Sequence, residues 1–565
     1  MLRLTDDAAG LTSALRPGRE AHVRFAPPTT PRRRALGALA AAFALAAPAP
    51  LAAAPWQPAQ RIGPGGRAAD ARVAVDASGN ATAVWVSPNR SVQSSIRPAA
   101  DGRWSAPMPV SLRGEHVDPG SLRLGVDRLG NATAAWTQSI VGTGGSVVEV
   151  AIKQRTQDFW KDPREVSGPR MAVAGSSRLA VAPDNAAIVT WDALVEGGAP
   201  DQTAVRAAVR PASSGSFGVA QDISAPGVGA GRSEVAIDRE DDGVAVWVAG
   251  DGTVQAAERL AGSDWSPPQG VAGFPGTDPA TTAAWLALAP AGQGVILVRA
   301  QTQGGQFMLR SVMRPGPATA WGAPEEVENL NAADQLGTAD VGIGPYGEVT
   351  MVADHLFPTG EQVDAAVRPP GGWELPIRLA TADAVGGPAL AVDLRRCSVA
   401  TWTVEHGLGD SAVEAATRCE GQFFRDPQRL SDSGEAVSAP DVAVNPRGEA
   451  AVIWSGSRGV RAAFLTSRRP AVSAFRVDPP AFPRGRGPTL RFKLTAPAEV
   501  TFTIRRSNGR LLGRLVRHGV EGDNAIPYSG GLRGVPLPVG SYLIQLRAYD
   551  GVRPTTASTR FSVTG

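Results

Sequence analysis

One phrase recurs eight times along this 565-residue chain, and it constrains the fold more than any other feature. The phrase is an alternating apolar segment, a turn, and a second alternating segment that usually ends in Trp. Such alternation with a period of two, bounded by turn residues, is typical of half-buried antiparallel strands. The copies are VAVDASGNATAVW at 73–85, LGVDRLGNATAAW at 124–136, LAVAPDNAAIVTW at 179–191, VAIDREDDGVAVW at 235–247, LALAPAGQGVILV at 286–298, VGIGPYGEVTMVA at 341–353, LAVDLRRCSVATW at 390–402 and VAVNPRGEAAVIW at 442–454.

Two further segments follow each phrase. The third segments are VQSSIRP from Val92, VEVAIKQ from Val148, VRAAVRP from Val205, VQAAERL from Val254, LRSVMRP from Leu309, VDAAVRP from Val363, VEAATRC from Val413 and VRAAFLT from Val460. The fourth segments carry aromatic residues at Trp104, Phe159–Trp160, Phe217, Trp265, Trp321, Trp373 and Phe423–Phe424. Four short strands in each repeat are typical of a β-propeller blade. The sequence therefore predicts an all-β fold whose body, 55–469, is an eight-bladed β-propeller.

The last repeat has no fourth segment, because the sequence changes character after Leu465. The missing segment has a counterpart at the other end, where Trp56–Ile62 resembles Trp104–Val110. We therefore expect this N-terminal strand to close the last blade, which would satisfy the backbone groups at the seam of the ring. Two alternatives stay open: an open stack of sheets, or seven blades with an insertion near 286–353, where the repeated Trp is absent.

The repeated tryptophans allow two interpretations, as a ligand platform or as packing between adjacent blades. A large aromatic side chain at a fixed strand position is typical of packing. The Asp that starts the turn in several copies is expected to bond its own turn backbone. The phrase resembles the Asp-box turn of sialidase-like propellers, Ser-x-Asp-x-Gly-x-Thr-Trp, although nine residues rather than five separate Asp from Trp here.

Residues 1–54 have the features of an export leader. Arg32–Arg34 precede an Ala-rich apolar stretch that ends in small residues at 51–54, so we expect cleavage near Ala52–Ala54. Pro48 and Pro50 within the stretch disfavour a permanent membrane span, and the membrane is a partner only if the leader is uncleaved. We expect a secreted or cell-envelope protein.

The excess of positive charge belongs to this leader. The formal net charge of the whole chain is +3. Residues 55–565 hold 49 basic and 50 acidic side chains, so the charge balance does not suggest a nucleic-acid partner.

The chain has two cysteines, Cys397 and Cys419. An even number in an exported chain favours a disulfide. Cys397 begins the second strand of its repeat and Cys419 ends the third, and a hairpin folded about the loop at 406–410 places position 397 opposite about position 418. The sequence therefore predicts a disulfide between Cys397 and Cys419.

The repeats stop at 470, and different alternating segments follow. They include Leu490–Thr495, Val500–Arg505 and Gly540–Asp550. The turn at 538–542 and the segment Ala548–Gly551 resemble those of immunoglobulin-like domains at the ends of bacterial surface proteins and of flagellar-hook capping proteins. This resemblance implies an immunoglobulin-like β-sandwich over 470–565 and says little about function.

Motifs that carry chemistry are scarce. None of the five histidines forms an HxxxH or HExxH pair, and nucleophile-elbow, Walker and dinucleotide-binding loops are absent. The acidic turn Asp238–Gly243 is the best candidate for a metal ligand set, with Ca²⁺ as the ion, but its counterparts in other repeats are ordinary turns. We therefore predict no catalytic residue, no metal and no cofactor, and leave the ligand-binding residues unassigned.

Two functional hypotheses follow. The first is an exported, non-enzymatic binding or scaffold protein that uses a propeller face or channel to hold a glycan, a cell-wall polymer or a protein. The alternative is an extracellular polysaccharide hydrolase or lyase, with carboxylates from different blades meeting at the channel mouth. The sequence does not show which acids converge, and whether the protein is an enzyme stays open.

Overall fold

The computed structural model describes residues 56–565 except 64–67, 101, 141–144, 169–176, 196–202, 226–228, 272–277, 303, 330–333, 359, 408, 420, 467–470, 496–497, 521, 533 and 550–553. The predicted leader, 1–54, lies outside the described residues. The described residues form strands and turns, as expected for an all-β protein. They contain no helix of the length and apolarity that a membrane crossing needs.

The repeat region forms strands at the positions of the alternating segments. Within 60–270 they are β1 (Gln60–Arg61), β2 (Ala69–Val75), β3 (Ala81–Val86), β4 (Val92–Arg97), β5 (Met108–Pro109), β6 (His116–Val117), β7 (Arg123–Val126), β8 (Ala132–Ser139), β9 (Ser146–Lys153), β10 (Arg164–Glu165), β11 (Arg178–Val181), β12 (Ala187–Leu194), β13 (Thr203–Arg210), β14 (Gln221–Asp222), β15 (Ala230–Ile237), β16 (Gly243–Ala249), β17 (Val254–Arg259) and β18 (Gln269–Gly270). Within 283–465 they are β19 (Ala283–Leu288), β20 (Gly294–Gln301), β21 (Phe307–Arg314), β22 (Glu325–Asn329), β23 (Gln335–Ile343), β24 (Val349–Phe357), β25 (Gly360–Arg368), β26 (Ile377–Ala382), β27 (Ala384–Val392), β28 (Cys397–Glu405), β29 (Ser411–Cys419), β30 (Gln428–Arg429), β31 (Asp441–Val444), β32 (Ala450–Gly456) and β33 (Gly459–Leu465).

These strands build eight small antiparallel sheets, numbered here in the order of their repeats. Sheets 1 to 7 are β2–β5, β6–β10, β11–β14, β15–β18, β19–β22, β23–β26 and β27–β30, and sheet 8 is β31–β33 with β1. The first long strand of each sheet contacts that of the next, and β2 of sheet 1 also contacts β31 of sheet 8. The arrangement is propeller-like.

Sheet 8 contains strands from both ends of the repeat region. β1 pairs antiparallel with β33, with Gln60 opposite Ala462 and Arg61 opposite Arg461. Two backbone hydrogen bonds extend this pairing, from Gln57 N to Phe464 O (2.9 Å) and from Ile62 N to Val460 O (2.8 Å). The first described strand therefore completes a sheet whose other three strands come from the last repeat.

Apolar side chains fill the space between consecutive sheets. Eight hydrophobic clusters of buried residues each combine side chains of two neighbouring sheets, including a cluster of sheets 8 and 1. The six repeated tryptophans are fully buried in these clusters: Trp85, Trp136, Trp191, Trp247, Trp402 and Trp454. This placement agrees with the packing interpretation of the repeated Trp, because a side chain without exposed surface offers no platform to a ligand.

The turn inside the phrase is held by its first side chain. In sheet 1, Oδ1 of Asp76 accepts hydrogen bonds from Ser78 N (2.7 Å) and Asn80 N (2.9 Å). Gly79, with a φ of 86°, takes the left-handed conformation that other residues rarely adopt. The Asp therefore bonds its own turn backbone, as the sequence indicates.

A disulfide joins Cys397 and Cys419 within sheet 7, as predicted. The two residues lie directly opposite each other in the pairing of β28 with β29. The expected register placed Cys397 opposite about position 418, so the observed register differs by one residue.

The remainder of the described chain forms two larger sheets and a small hairpin. The strands are β34 (Val472–Asp478), β35 (Ala481–Pro483), β36 (Thr489–Leu494), β37 (Ala498–Arg506), β38 (Leu511–Gly519), β39 (Gly522–Pro527), β40 (Gly531–Leu532), β41 (Val535–Pro536), β42 (Gly540–Tyr549) and β43 (Pro554–Thr564). One sheet has the order β34-β36-β39, the other β35-β43-β42-β37-β38, and β40 pairs with β41. Residues of both sheets share one hydrophobic core, in which Phe492 contacts Phe502 with ring centroids 5.8 Å apart.

Candidate functional site

The first strands of the eight sheets surround a cavity of about 600 Å³, here called the channel. Alternate side chains of a strand point to the same side of its sheet. Equivalent positions in the eight first strands therefore form a ring of side chains around the channel. The residue immediately before the phrase lines the channel in seven repeats: Arg72, Arg123, Arg178, Glu234, Trp285, Asp340 and Asp441. Sheet 7 contributes Pro388 instead.

The ring is electrically polarised. Three consecutive sheets contribute arginines, whereas the acidic residues come from sheets 4, 6 and 8. Trp285 of sheet 5 stands between two of the acidic positions and is partly exposed. The channel therefore has a cationic wall and a separate acidic wall.

Neighbouring groups hold two of the arginines in place. Arg72 forms an ion pair with Asp70, with 2.6 Å between its Nη2 and the Asp70 Oδ1, and its Nε donates to the carbonyl of Leu122 on the next sheet (3.1 Å). Arg178 forms an ion pair with Glu234 of the next sheet, with 2.7 Å between Nε and Oε1. Both side chains thus bridge adjacent sheets.

Arg123 lies between these two arginines and differs from them. Its Nη1 donates to the carbonyls of Gly120 (2.9 Å) and Leu122 (2.8 Å). Within the described part of the chain, no carboxylate is at ion-pair distance from it. Burial, together with the nearby guanidinium groups of Arg178 and Arg72, lowers the pKa of Arg123 to about 9, so that Arg123 remains protonated at neutral pH.

The carboxylates of the channel are tied to backbone. Asp340 accepts from its neighbour Val341 N and from Leu390 N of the next sheet, each at 2.8 Å, and Asp441 accepts from Val73 N of sheet 1 at 2.8 Å. Burial raises the pKa of Asp340 to about 7 despite these donors, and the charges of Glu234 and Asp441 raise it further. Burial also raises the pKa of Asp441. These two carboxylates hold neighbouring sheets together.

The arrangement is suited to binding an anion. Guanidinium groups donate paired N–H bonds to carboxylate, sulfate or phosphate groups, and buried cations attract them more strongly than exposed ones do. The channel volume lies in the range of small-ligand sites, roughly 300–1,000 Å³.

The acidic turn Asp238–Gly243 has the geometry of the other turns in the repeat. Oδ1 of Asp238 accepts from Glu240 N (2.9 Å) and Asp242 N (3.0 Å), as Asp76 does in sheet 1. This oxygen stabilises the turn, and among the described residues no group of three closely spaced potential metal ligands includes a residue of this turn.

A different group satisfies the distance requirement for a metal. Within the described residues, the potential ligand atoms of Glu328, His355 and Asp364 lie within 4.8 Å of one another. Sequence reasoning missed this group, because its three members come from three strands. Sequence reasoning also missed the ring of channel residues. Their position, immediately before each phrase, can be read from the repeat, but the residue type at this position changes from repeat to repeat and so does not stand out as a motif.

Comparison with protein-family models and with curated proteins gives no match to this sequence. Among solved structures, the chain is similar to the BP39L lectin from Burkholderia pseudomallei, with 15% identity, a TM-score of 0.45, and coverage of 65% of this chain and 100% of the lectin. It is also similar to an ulvan lyase, a polysaccharide lyase, with 8% identity, a TM-score of 0.41, and coverage of 72% of this chain and 95% of the lyase. A microbial sialidase has 10% identity, a TM-score of 0.35, and coverage of 59% of this chain and 76% of the sialidase. All three TM-scores are below 0.5 and all three identities are 15% or lower, so these similarities assign no function to this chain.

Proposed function

We propose that this chain is an exported, non-enzymatic binding protein that holds an anionic glycan or cell-wall polymer in its channel. In this proposal, 55–469 is a closed eight-bladed β-propeller and 470–565 is an immunoglobulin-like sandwich. The contact of β2 with β31 and the shared cluster of sheets 8 and 1 support closure. The single core between two sheets supports a sandwich.

One observation carries the ligand assignment: three arginines from consecutive sheets line the same open cavity. Placing like charges together in a partly buried site is unfavourable unless an opposite charge compensates them. Asp70 and Glu234 form direct ion pairs with Arg72 and Arg178 and reach Arg123 only at longer range, so the Arg123 guanidinium is the group best placed to meet a carboxylate or sulfate of the ligand.

A glycan array with the purified chain tests the proposal, with acidic and neutral glycans side by side. We expect acidic glycans to bind and neutral ones not to bind. Arg123→Gln should weaken binding tenfold or more, since hydrogen bonds to charged groups contribute about 1.5–3 kcal/mol and about 1.4 kcal/mol corresponds to a factor of ten. The matched control is Arg164→Gln, which removes the same charge from an exposed site on β10. Equal loss in both variants would mean that net charge, not the channel, holds the ligand.

The raised pKa of Asp340 favours a second candidate function, a polysaccharide hydrolase or lyase. A carboxyl group with a pKa near 7 is suited to donating a proton at neutral pH. Against this function, both oxygens of Asp340 already accept backbone hydrogen bonds. Product analysis of every bound polymer decides: new reducing ends or unsaturated sugars that disappear with Asp340→Asn would favour the enzyme, and an unchanged polymer favours the binding protein.

Export is part of the same proposal. The disulfide supports it, because disulfides persist in oxidising compartments outside the cytosol. Fractionation of the producing cells, with detection of the chain in medium, envelope and cytosol, tests this part. The chain should be found in the medium or the envelope, and recovery from the cytosol alone would contradict export.

A further inference from the structure

His355 is a fully buried histidine on β24, and its surroundings are unusual for a buried imidazole. The Trp that six of the other seven sheets carry at the end of the phrase is replaced by Ala353 in this strand, two positions before His355 and on the same face. Ala353 pairs directly with Asp364 of β25, so Asp364 is a diagonal neighbour of His355. Glu328 reaches the same point from β22 of sheet 5. A polar cluster thus lies at an interface between sheets that lacks the usual Trp.

The polar atoms of this cluster lack partners. Among the described residues, neither ring nitrogen of His355 has a hydrogen-bond partner, and Glu328 Oε2 and Asp364 Oδ1 are likewise buried without one. His355 Nε2 lies 3.5 Å from Glu328 Oε2 and 3.9 Å from Asp364 Oδ2. Buried polar atoms are nearly always paired in native proteins, so a group of unpartnered ones aimed at one point is suited to binding a ligand there.

The chemistry of the cluster indicates a cation. Two carboxylates and one imidazole aim oxygen and nitrogen lone pairs at one buried point, where two carboxylates repel each other unless a cation lies between them.

The donor set selects among cations. An imidazole nitrogen with two carboxylates suits Zn²⁺ and similar transition metals better than Mg²⁺ or Ca²⁺, which take oxygen ligands. Ligands at about 2.05 Å in a tetrahedral Zn²⁺ site lie about 3.4 Å apart. The observed 3.5 and 3.9 Å are close to this spacing. The side chains of Glu328 and Asp364 are 17% and 10% exposed, which leaves a route for the ion.

We propose that Glu328, His355 and Asp364 bind one divalent transition-metal ion of the Zn²⁺ type, which links sheets 5 and 6. Nε2 of His355 and one oxygen of each carboxylate supply three ligands, and water supplies the fourth. The ion takes the place that Trp fills between most other pairs of sheets, so its role is structural. This site is separate from the channel and does not depend on the proposed function.

Titration of the chelator-treated, purified chain with Zn²⁺ alone tests the proposal, with calorimetry and metal analysis after dialysis as readouts. We expect one tightly bound Zn²⁺ per chain and a rise in the melting temperature on binding. Glu328→Gln and Asp364→Asn keep the shape of the side chains and should lower the affinity at least tenfold and abolish the rise. An excess of Mg²⁺ or Ca²⁺ should not displace the ion.

The control is His406→Ala, which removes an exposed histidine and should leave binding unchanged. Comparison of the melting temperatures without metal separates a folding defect from a lost ligand. Absence of Zn²⁺ binding by the wild-type chain, binding of equal affinity by both carboxamide variants, or loss of the ion in His406→Ala would each overturn the proposal.

Discussion

At the scale of single residues, the buried tryptophans stabilise the fold, whereas the ionised carboxylates of the channel destabilise it. Trp454 is fully buried among residues of sheets 7 and 8, and its large apolar surface stabilises the contact between them. Asp340 is a charge drawn out of water, and its burial is unfavourable in the ionised form. Substitution of Trp454 should therefore change the free energy of unfolding, and substitution of Asp340 should change the pH dependence of stability.

Trp454→Ala should lower the free energy of unfolding by about 3–5 kcal/mol, the cost of replacing a buried aromatic side chain by alanine. Urea denaturation of the purified variant measures it. Phe423→Ala is the control, since this aromatic side chain is 83% exposed and its removal should cost less than about 0.5 kcal/mol. Comparable losses in the two variants would contradict the packing role of the repeated Trp.

The raised pKa of Asp340 predicts that the stability of the folded chain depends on pH. Its pKa is about 7 in the folded chain and about 3.9 when unfolded, so the folded state binds more protons between these values. The contribution of Asp340 to stability is therefore fully present below pH 4 and falls as the pH rises through 7. The groups that face it, Glu234 and Asp441, increase the effect.

The readout is the slope of melting temperature against pH, not its absolute value. Asp340→Asn should make the slope between pH 4 and pH 7 less negative than that of the wild-type chain. Asp264→Asn, which removes an exposed carboxylate, should leave the slope unchanged. Identical slopes for wild type and Asp340→Asn would show that Asp340 titrates as an ordinary carboxyl group.

At the scale of elements, sheet 7 is the one described sheet with a covalent cross-link between its strands. β28 and β29 are paired along nine residues, and the disulfide fastens the end of this pairing that lies farthest from the connecting loop. It therefore limits how far the hairpin can open from its free end.

Replacing both cysteines, as Cys397→Ser with Cys419→Ser, should lower the free energy of unfolding by about 3 kcal/mol. This is the chain-entropy effect of closing a loop of this size, since the cysteines are 22 positions apart. Reduction of the wild-type chain should give the same loss, and reductant should have no further effect on the double variant. A double variant as stable as the oxidised wild type would contradict a stabilising disulfide.

At the scale of the whole molecule, the strand pattern was predictable from sequence and the sites were not. The repeated phrase identified strands such as β3 and β8, although alternation predicted burial on one face and these central strands are buried on both, because each packs against neighbouring sheets. The disulfide partners followed from the geometry of the hairpin. The expected register was wrong by one residue, because the register depends on which residues form the turn between β28 and β29, and the sequence does not show this. Arg123 was missed since the other arginines of the channel come from neighbouring sheets, and His355 was missed since Glu328 reaches it from sheet 5. Only the arrangement of the sheets brings these residues together.

The pairing of β1 with β33 also bears on how the chain is made. Arg461 donates from Nη2 to the carbonyl of Ala59, a hydrogen bond between residues 402 positions apart. A polypeptide that emerges from the ribosome N-terminus first can assemble sheets 1 to 7 as each repeat is synthesised. The segment around Ala59 emerges at the outset and has to wait, unpaired, until translation reaches the final repeat. Folding of the repeat region thus ends when β1, the strand synthesised first, pairs with β33, the strand synthesised last. Until this slow, long-range pairing forms, the edges of both strands are unpaired and the incompletely folded chain is prone to aggregation.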